Sequence, residues 1–158
     1  MKPVQIINRE LLDGVSSLAQ QAPRRRTNHN FHATENDPCH RLLNAIEPDS
    51  YIQPHCHRDR QKDESIVALR GRLGMVFFDE RGSVTSTTVL APSGGAIGVN
   101  IPHGVYHTLV ALEPGCVFFE AKAGPYVPLA PEEKAAWAPP ESDPLAVTYL
   151  ARLKLLFV

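Results

Sequence analysis

Eight short apolar runs separated by turn residues constrain the fold of this chain most strongly. The runs cover residues 41–46, 51–57, 64–70, 72–78, 84–90, 96–101, 108–112 and 116–121. Glycine or proline stands at several of the boundaries, as at Gly71, Gly82 and Gly115. Short strands at near-regular spacing with such punctuation are typical of a sandwich or barrel. We therefore expect a mainly β fold.

Both ends of the chain carry other patterns. Residues 4–7 predict a short edge strand, and Asn8 predicts the cap of a short N-terminal helix that ends at Pro23. After residue 122 the pattern is helical, and Asp143 followed by Pro144 predicts the start of a final helix. The apolar stripe of that helix must pack on the barrel's outer face or on a second subunit. It comprises Leu145, Tyr149, Leu150, Leu153, Leu156 and Phe157.

The length of 158 residues predicts one domain. We expect residues 1–40 to form a strand, a helix and a polar loop packed on the barrel. Residues 41–121 are expected to form the barrel, and residues 122–158 a helical appendage that is too small to bury a core alone.

Charge and cysteine content restrict the partners and the compartment. The 16 basic and 17 acidic residues nearly balance, so neither nucleic acid nor a membrane surface is expected as a partner. The three cysteines are an odd count without metal-finger spacing, which favours a reducing compartment. The first residues lack the long apolar core of a signal peptide, and no run approaches the ~20 apolar residues of a membrane span. We expect a cytoplasmic protein.

Two histidine-rich stretches carry the candidate chemistry. The first is Pro54-His55-Cys56-His57, and the second runs from Pro102 to His107. Residues two apart on a strand face the same side, so His55 and His57 can direct both imidazoles at one point. One carboxylate and a third histidine would complete a set that suits a divalent transition metal with open positions.

These stretches resemble the two signature motifs of the cupin superfamily, whose fold is a double-stranded β-helix, or jelly-roll barrel. In the first motif His-x-His is followed by a glutamate and, after six intervening residues, by a glycine, which Glu64 and Gly71 match. The gap between His57 and Glu64 is six residues, longer than in the motif. The second motif is matched by Pro102, Gly104 and His107. Three flanking positions depart: Asp49 and Ala96 replace the leading glycines of the two motifs, and Ala111 replaces the final asparagine.

The resemblance implies a metal site formed by His55, His57, Glu64 and His107. The ion is zinc, iron, nickel or manganese, all of which these donors admit. Because the gap after His57 is long, three other side chains are candidates for the ligand position of Glu64, namely Asp59, Gln61 and Asp63. His103 is expected to be a solvent-facing turn residue.

More narrowly, the chain is similar to the WbuC-type cupin metalloproteins. The similar features are Pro54-His55-Cys56-His57, the stretch from Pro38 to Arg41 and the long C-terminal tail. Such proteins are encoded with bacterial surface-polysaccharide genes, and the resemblance implies no particular reaction. Cupins commonly dimerise through apolar strand faces. Both faces of the run 72–78 are mostly apolar, so we expect a homodimer.

Strand alternation predicts the remaining site residues. Tyr51 and Gln53 share the alternation of His55, so we expect Tyr51 to be the catalytic proton donor and Gln53 to contact the ligand. Arg41 and Tyr106 are candidates for binding an anionic substrate. By the same alternation, three apolar side chains should face the cavity: Ile66, Ala68 and Leu109.

Three functions remain open. The first is a metal-dependent isomerase or epimerase acting on a small polar molecule such as a sugar or sugar nucleotide. The second is an iron-dependent dioxygenase, and the third is a sugar- or metal-binding module that performs no chemistry. The fold alone does not choose among them.

Overall fold

Alternating apolar side chains build two facing antiparallel sheets. The computed structural model describes residues 3–158. Its strands are β1 (Arg26–Asn30), β2 (Cys39–Ile46), β3 (Glu64–Arg70), β4 (Leu73–Phe78), β5 (Val84–Leu90), β6 (Gly98–Ile101), β7 (Tyr106–Ala111) and β8 (Cys116–Ala123). The order is β1-β2-β8-β3-β6 in the five-stranded sheet and β5-β4-β7 in the three-stranded sheet. This arrangement is the mainly β cupin barrel predicted from the sequence.

The barrel core lies between the two sheets. Its buried side chains include Ile66 and Ala68 of β3, Met75 of β4, Leu109 of β7 and Phe118 of β8. The alternation that predicted inward positions for Ile66, Ala68 and Leu109 is therefore confirmed.

Helix α1 (Arg9–Gln21) covers the outer face of the five-stranded sheet. The side chain of Asn8 accepts a hydrogen bond from the Leu11 amide, which confirms the predicted cap. Leu12 and Val15 are buried there against apolar side chains of β2 and β8. The predicted strand at residues 4–7 is wrong, because this segment forms no ladder and Val4 is 91% exposed.

The eight strands do not coincide with the eight predicted runs. Residues 51–57 are extended but pair only through single bridges at His55, since Pro54 has no amide hydrogen to donate. Strand β1 was not predicted, because its sequence Arg-Thr-Asn-His-Asn is wholly polar and shows no apolar alternation. Its backbone pairs with β2 at the edge of the sheet.

Helix α2 (Leu145–Lys154) covers the outer face of the three-stranded sheet. Leu150 and Leu153 are buried there with Val76 and Phe78 of β4. Of the predicted apolar stripe, Tyr149, Leu150, Leu153 and Phe157 pack on the barrel's outer face, whereas Leu145 and Leu156 are exposed. The second apolar face of β4 is thus covered within the chain, which removes that argument for a homodimer.

Two short 3₁₀ turns, Pro131–Glu133 and Leu155–Phe157, complete the C-terminal segment. None of the helices within residues 3–158 is long and apolar enough to cross a membrane.

Candidate metal centre

Four side chains converge at one end of the barrel core. His55, His57, Glu64 and His107 each offer a ligand atom, and these atoms all lie within 4.8 Å of one another. His57, Glu64 and His107 are buried, and His55 is partly buried. The structure therefore brings together the four residues that the sequence predicted as metal ligands.

Backbone hydrogen bonds fix the positions of the histidines. The amide of His55 donates to the carbonyl of His107 at 3.0 Å, and the amide of His107 donates back at 2.9 Å. The amide of Gly104 donates to the carbonyl of His57 at 2.7 Å. Gly104 adopts a φ of 81°, a conformation that favours glycine. A glycine at this position therefore allows the turn before β7 to form this hydrogen bond.

Hydrogen bonds at Nδ1 orient two of the imidazoles. His55 Nδ1 lies 3.0 Å from the carbonyl oxygen of Gln53, and His107 Nδ1 lies 2.9 Å from that of Val105. A neutral imidazole that donates from Nδ1 keeps the lone pair of Nε2 available as a ligand. Burial, together with the nearby His107, lowers the pKa of His55 to about 3, so its ring is neutral at pH 7.

The two distances from Glu64 to the histidines match those between ligands of a single ion. Glu64 Oε2 lies 3.2 Å from His57 Nε2 and 3.4 Å from His107 Nε2. Two ligand atoms that are each ~2.1 Å from one ion are roughly 3.0 to 3.4 Å apart in octahedral or tetrahedral coordination. Burial alone would raise the pKa of Glu64, but its contacts with His107 and His57 hold that pKa well below the usual range. The cluster therefore suits a divalent metal ion.

The two aspartates that are alternatives to Glu64 as the carboxylate ligand form other hydrogen bonds. Asp63 Oδ1 accepts a hydrogen bond from the His103 amide at 2.9 Å and lies 3.0 Å from His103 Nδ1. Asp59 Oδ1 accepts from the amide of Gln61. Asp63 and His103 therefore contact each other between two loops, where both side chains are partly exposed. This position agrees with the turn role predicted for His103.

The prediction that Tyr51 and Gln53 share the inward face with His55 is wrong. The ring of Tyr51 packs in the outer apolar cluster beneath α2, and its hydroxyl donates to the carbonyl of Pro139 at 2.8 Å. Gln53 Nε2 donates to the carbonyls of Ala135 and Ala138. Regular alternation fails here because residues 51–54 do not belong to a ladder.

Arg41 and Tyr106 also point away from the barrel interior. Arg41 is exposed on the face of β2 opposite to Asn44, a residue that lines the interior. Tyr106 precedes the inward-facing His107, and its hydroxyl donates to the carbonyl of Glu132 at 3.1 Å. Neither side chain lines the cavity beside the metal cluster.

That cavity occupies the barrel interior and has a volume of about 200 Å³. Its walls include the cluster residues His55, Glu64 and His107, and apolar side chains such as Ile66 and Leu109. Arg24 and Arg26 also line it, and both form ion pairs with Glu141 of the C-terminal segment.

A second cavity of about 160 Å³ lies on another side of the cluster, where His55 and His57 form part of its wall. The segment from Ala123 to Leu129 supplies most of its other side, including the exposed Tyr126 and Val127. The cluster of three histidines and Glu64 therefore borders two cavities.

The sequence interpretation missed several polar residues of the interior cavity, and three of them contact one another. They are Asn44 of β2 and Glu120 and Lys122 of β8. Glu120 and Lys122 continue the inward alternation of Phe118. A charged residue at position 120 of the predicted strand 116–121 was the available signal, whereas Lys122 lies beyond the predicted end of that strand.

Glu120 and Lys122 form an ion pair next to Glu64. Lys122 Nζ lies 2.7 Å from Glu120 Oε1, and Asn44 Nδ2 donates to Glu120 Oε2 at 2.8 Å. Burial, and then the charge of Glu64, raises the pKa of Glu120 to about 7. Burial alone would lower the pKa of Lys122, but the charges of Glu120 and Glu64 raise it, so the ammonium is charged at neutral pH.

Solved structures of cupin type share the fold at low sequence identity. The polyketide cyclase RemF from Streptomyces resistomycificus has a TM-score of 0.54 and 21% identity, covering 73% of this chain and 74% of that one. KdgF from Halomonas sp. has a TM-score of 0.52 and 17% identity, with 67% and 84% covered. TT1209 from Thermus thermophilus has a TM-score of 0.52 and 19% identity, with 76% and 97% covered. Likeness at this level concerns the fold alone.

A search of curated proteins finds no match to this chain. Residues 7–90 match a family described as a domain of unknown function (DUF6016). The matched region includes His55, His57 and Glu64 and ends before His107. Since it spans just over half of the 158 residues, the chain belongs to this DUF6016 family, and it has the cupin fold.

Proposed function

We propose that this protein is a metal-dependent cupin that acts on a small polar molecule. His55, His57, Glu64 and His107 would hold one divalent transition ion. The convergence of these four side chains, with two imidazoles oriented through Nδ1, is the observation that carries the proposal. When bound, such an ion supplies Lewis acidity toward a carbonyl or hydroxyl oxygen of the ligand.

The barrel residues would bind and orient that ligand. Ile66, Leu109 and Phe118 give the cavity an apolar wall, which excludes water from the ligand. The volume of about 200 Å³ is below that of drug-sized pockets, so a molecule the size of a single sugar fits the proposal better than a whole sugar nucleotide.

The reaction class we favour is isomerisation or epimerisation of a sugar-like molecule. Support for this choice comes from the Lewis acidity of a bound divalent ion, which would polarise a carbonyl or chelate an enediolate. The WbuC-type resemblance supports a role in surface-polysaccharide biosynthesis and no particular reaction. An iron-dependent dioxygenase is the alternative for the same donor set, because three histidines and one glutamate also suit ferrous iron. A binding module without chemistry is the third candidate.

Solvent exchange and oxygen uptake separate these three candidates. Sugars are incubated with metal-loaded protein in deuterated water and followed by NMR, and oxygen consumption is measured with ferrous protein. Deuterium incorporation that is lost in Glu64→Gln would support the isomerase. Oxygen uptake would indicate the dioxygenase, and tight binding with neither signal would leave the binding module.

The choice of Glu64 as the carboxylate ligand is tested by metal titration. Glu64→Gln should weaken metal affinity by about a hundredfold or more, since even the loss of a partner behind a ligand costs about 10- to 100-fold. Asp63→Asn is the matched control and should stay within about threefold, because Asp63 contacts His103 instead. A larger loss of metal affinity in Asp63→Asn than in Glu64→Gln would indicate that Asp63, and not Glu64, is the carboxylate ligand.

We also propose a cytoplasmic homodimer. The exposed apolar side chains of Leu145 and Val147 on α2, and of Leu155 after it, support a second subunit there. A monomeric mass in light scattering at micromolar concentration would reject the dimer.

Cys56 and Cys116 are buried free thiols, in agreement with a reducing compartment.

A further inference from the structure

Three side chains of the interior cavity form a polar group outside the proposed ligand set. Asn44, Glu120 and Lys122 all line this cavity together with Glu64 and His107. The strand register places Lys122 opposite Glu64, and Glu120 opposite Ile66. The three side chains therefore adjoin the metal cluster within the same space.

The hydrogen bonding of this group is incomplete. Glu120 is only 7% exposed, and its Oε1 receives no hydrogen bond of acceptable geometry from any residue within 3–158. Lys122 Nζ lies 2.7 Å from that oxygen and forms an ion pair with it. Glu120 Oε1 is therefore held by the ion pair alone, so a ligand hydroxyl that donates a hydrogen bond to this oxygen would be favoured there.

The charges of the site favour an anion. Glu64 is the single carboxylate of the proposed ligand set, and Lys122 forms an ion pair with Glu120 beside it. Addition of a divalent ion leaves the site with a net positive charge, whether Glu120 is ionised or protonated. A single carboxylate on the ligand would offset this charge inside the barrel, where an uncompensated buried charge is costly.

We propose that the cavity binds a small hydroxy acid, such as an acidic sugar. Its carboxylate pairs with Lys122, and one of its hydroxyls donates a hydrogen bond to Glu120 Oε1, while Asn44 holds Glu120 in place. This inference rests on the proposed function, because the divalent ion contributes to the charge that selects the acid. It assigns Lys122 and Glu120 as the residues that determine specificity.

Calorimetry on zinc-loaded protein tests the assignment with D-glucuronate, glycolate and D-glucose as probes. In the unsubstituted protein, D-glucuronate should bind at least about tenfold more tightly than D-glucose, which lacks the carboxylate. Lys122→Met and Glu120→Gln should each weaken D-glucuronate binding by about tenfold or more. Zinc content, measured in parallel, should remain near that of the unsubstituted protein.

Two variants serve as matched controls. Lys154→Met removes a lysine of α2, and Glu47→Gln alters a buried glutamate that does not line the cavity. Both should keep the affinity for D-glucuronate. Equal loss in the controls and in the cavity variants would overturn the roles assigned to Lys122 and Glu120.

The comparison of acid with neutral sugar needs no variant, so it holds even if a substitution impairs folding. Zinc-loaded protein that binds neither acid, or that binds D-glucose as tightly as D-glucuronate, would overturn this inference and leave the metal site in place. Protein that takes up no zinc would overturn the proposed function and this inference together.

Discussion

The Nδ1 contacts of His55 and His107 prepare the cluster before any ion binds. Both nitrogens lie about 3 Å from backbone carbonyls of residues two positions earlier in the chain. Because each carbonyl belongs to the same extended segment as its histidine, the ring orientation is fixed locally. Side-chain entropy lost on metal binding is correspondingly small at these two positions.

The placement of Tyr51 changes what its substitution should do. Tyr51→Phe removes a buried hydroxyl that donates to Pro139 and leaves the ring in its apolar cluster. We expect a loss of ~1 kcal/mol in the free energy of unfolding, measured in urea, with unchanged metal affinity. Tyr149→Phe, in the same cluster, is the control. A loss of metal binding in Tyr51→Phe would show that Tyr51 contributes to the metal site.

At the residue scale, the sequence predicted the cluster correctly and the pocket only in part. The histidines and Glu64 could be recognised because motif spacing ties them to turn glycines such as Gly71, which adopts a φ of 76°. Tyr51 and Gln53 were misplaced because alternation applies to ladder residues, and Pro54 interrupts the ladder.

At the scale of elements, the C-terminal segment takes part in building the site. The Cys56 amide donates to the carbonyl of Glu133, and the Ala135 amide donates to the carbonyl of Pro54. The segment that carries His55 is thus held between β7 and residues 133–135. The sequence predicted helix α2 from its apolar stripe, but no local pattern indicates these backbone contacts.

Packing of the last turn on β4 is tested at Gly74. A Cβ atom at this position would lie 2.5 Å from the ring of Phe157. Gly74→Ala should therefore displace Phe157 and lower the free energy of unfolding by ~1–3 kcal/mol.

Gly14→Ala in α1 is the control, because no atom lies within 4 Å of the added Cβ. This substitution should raise stability by about 0.5–1 kcal/mol through helix propensity. Both effects are read from urea unfolding. Equal stability of the Gly74 and Gly14 variants would contradict the packing of Phe157 on β4.

At the scale of the whole molecule, we expect the fold not to depend on a metal. Three apolar clusters, between the sheets and under each helix, supply the core. The ion should therefore stabilise the native state by preferential binding, without being required for folding.

Chelation tests this expectation. Metal-free protein should keep its β circular dichroism spectrum and melt at a lower temperature. With free metal at 100 times its Kd, binding contributes ~2.7 kcal/mol, which corresponds to roughly 5–10 °C for a chain of this size. An unfolded metal-free protein would mean that the ion is structural.

Elemental analysis of protein purified without an affinity tag tests the central claim most directly. If His55, His57, Glu64 and His107 form a metal centre, the protein should contain about one divalent transition ion per chain. His107→Ala should then lose most of it, whereas His103→Ala, outside the cluster, should retain it. Metal-free protein that takes up none of zinc, iron, nickel or manganese at neutral pH would contradict the account.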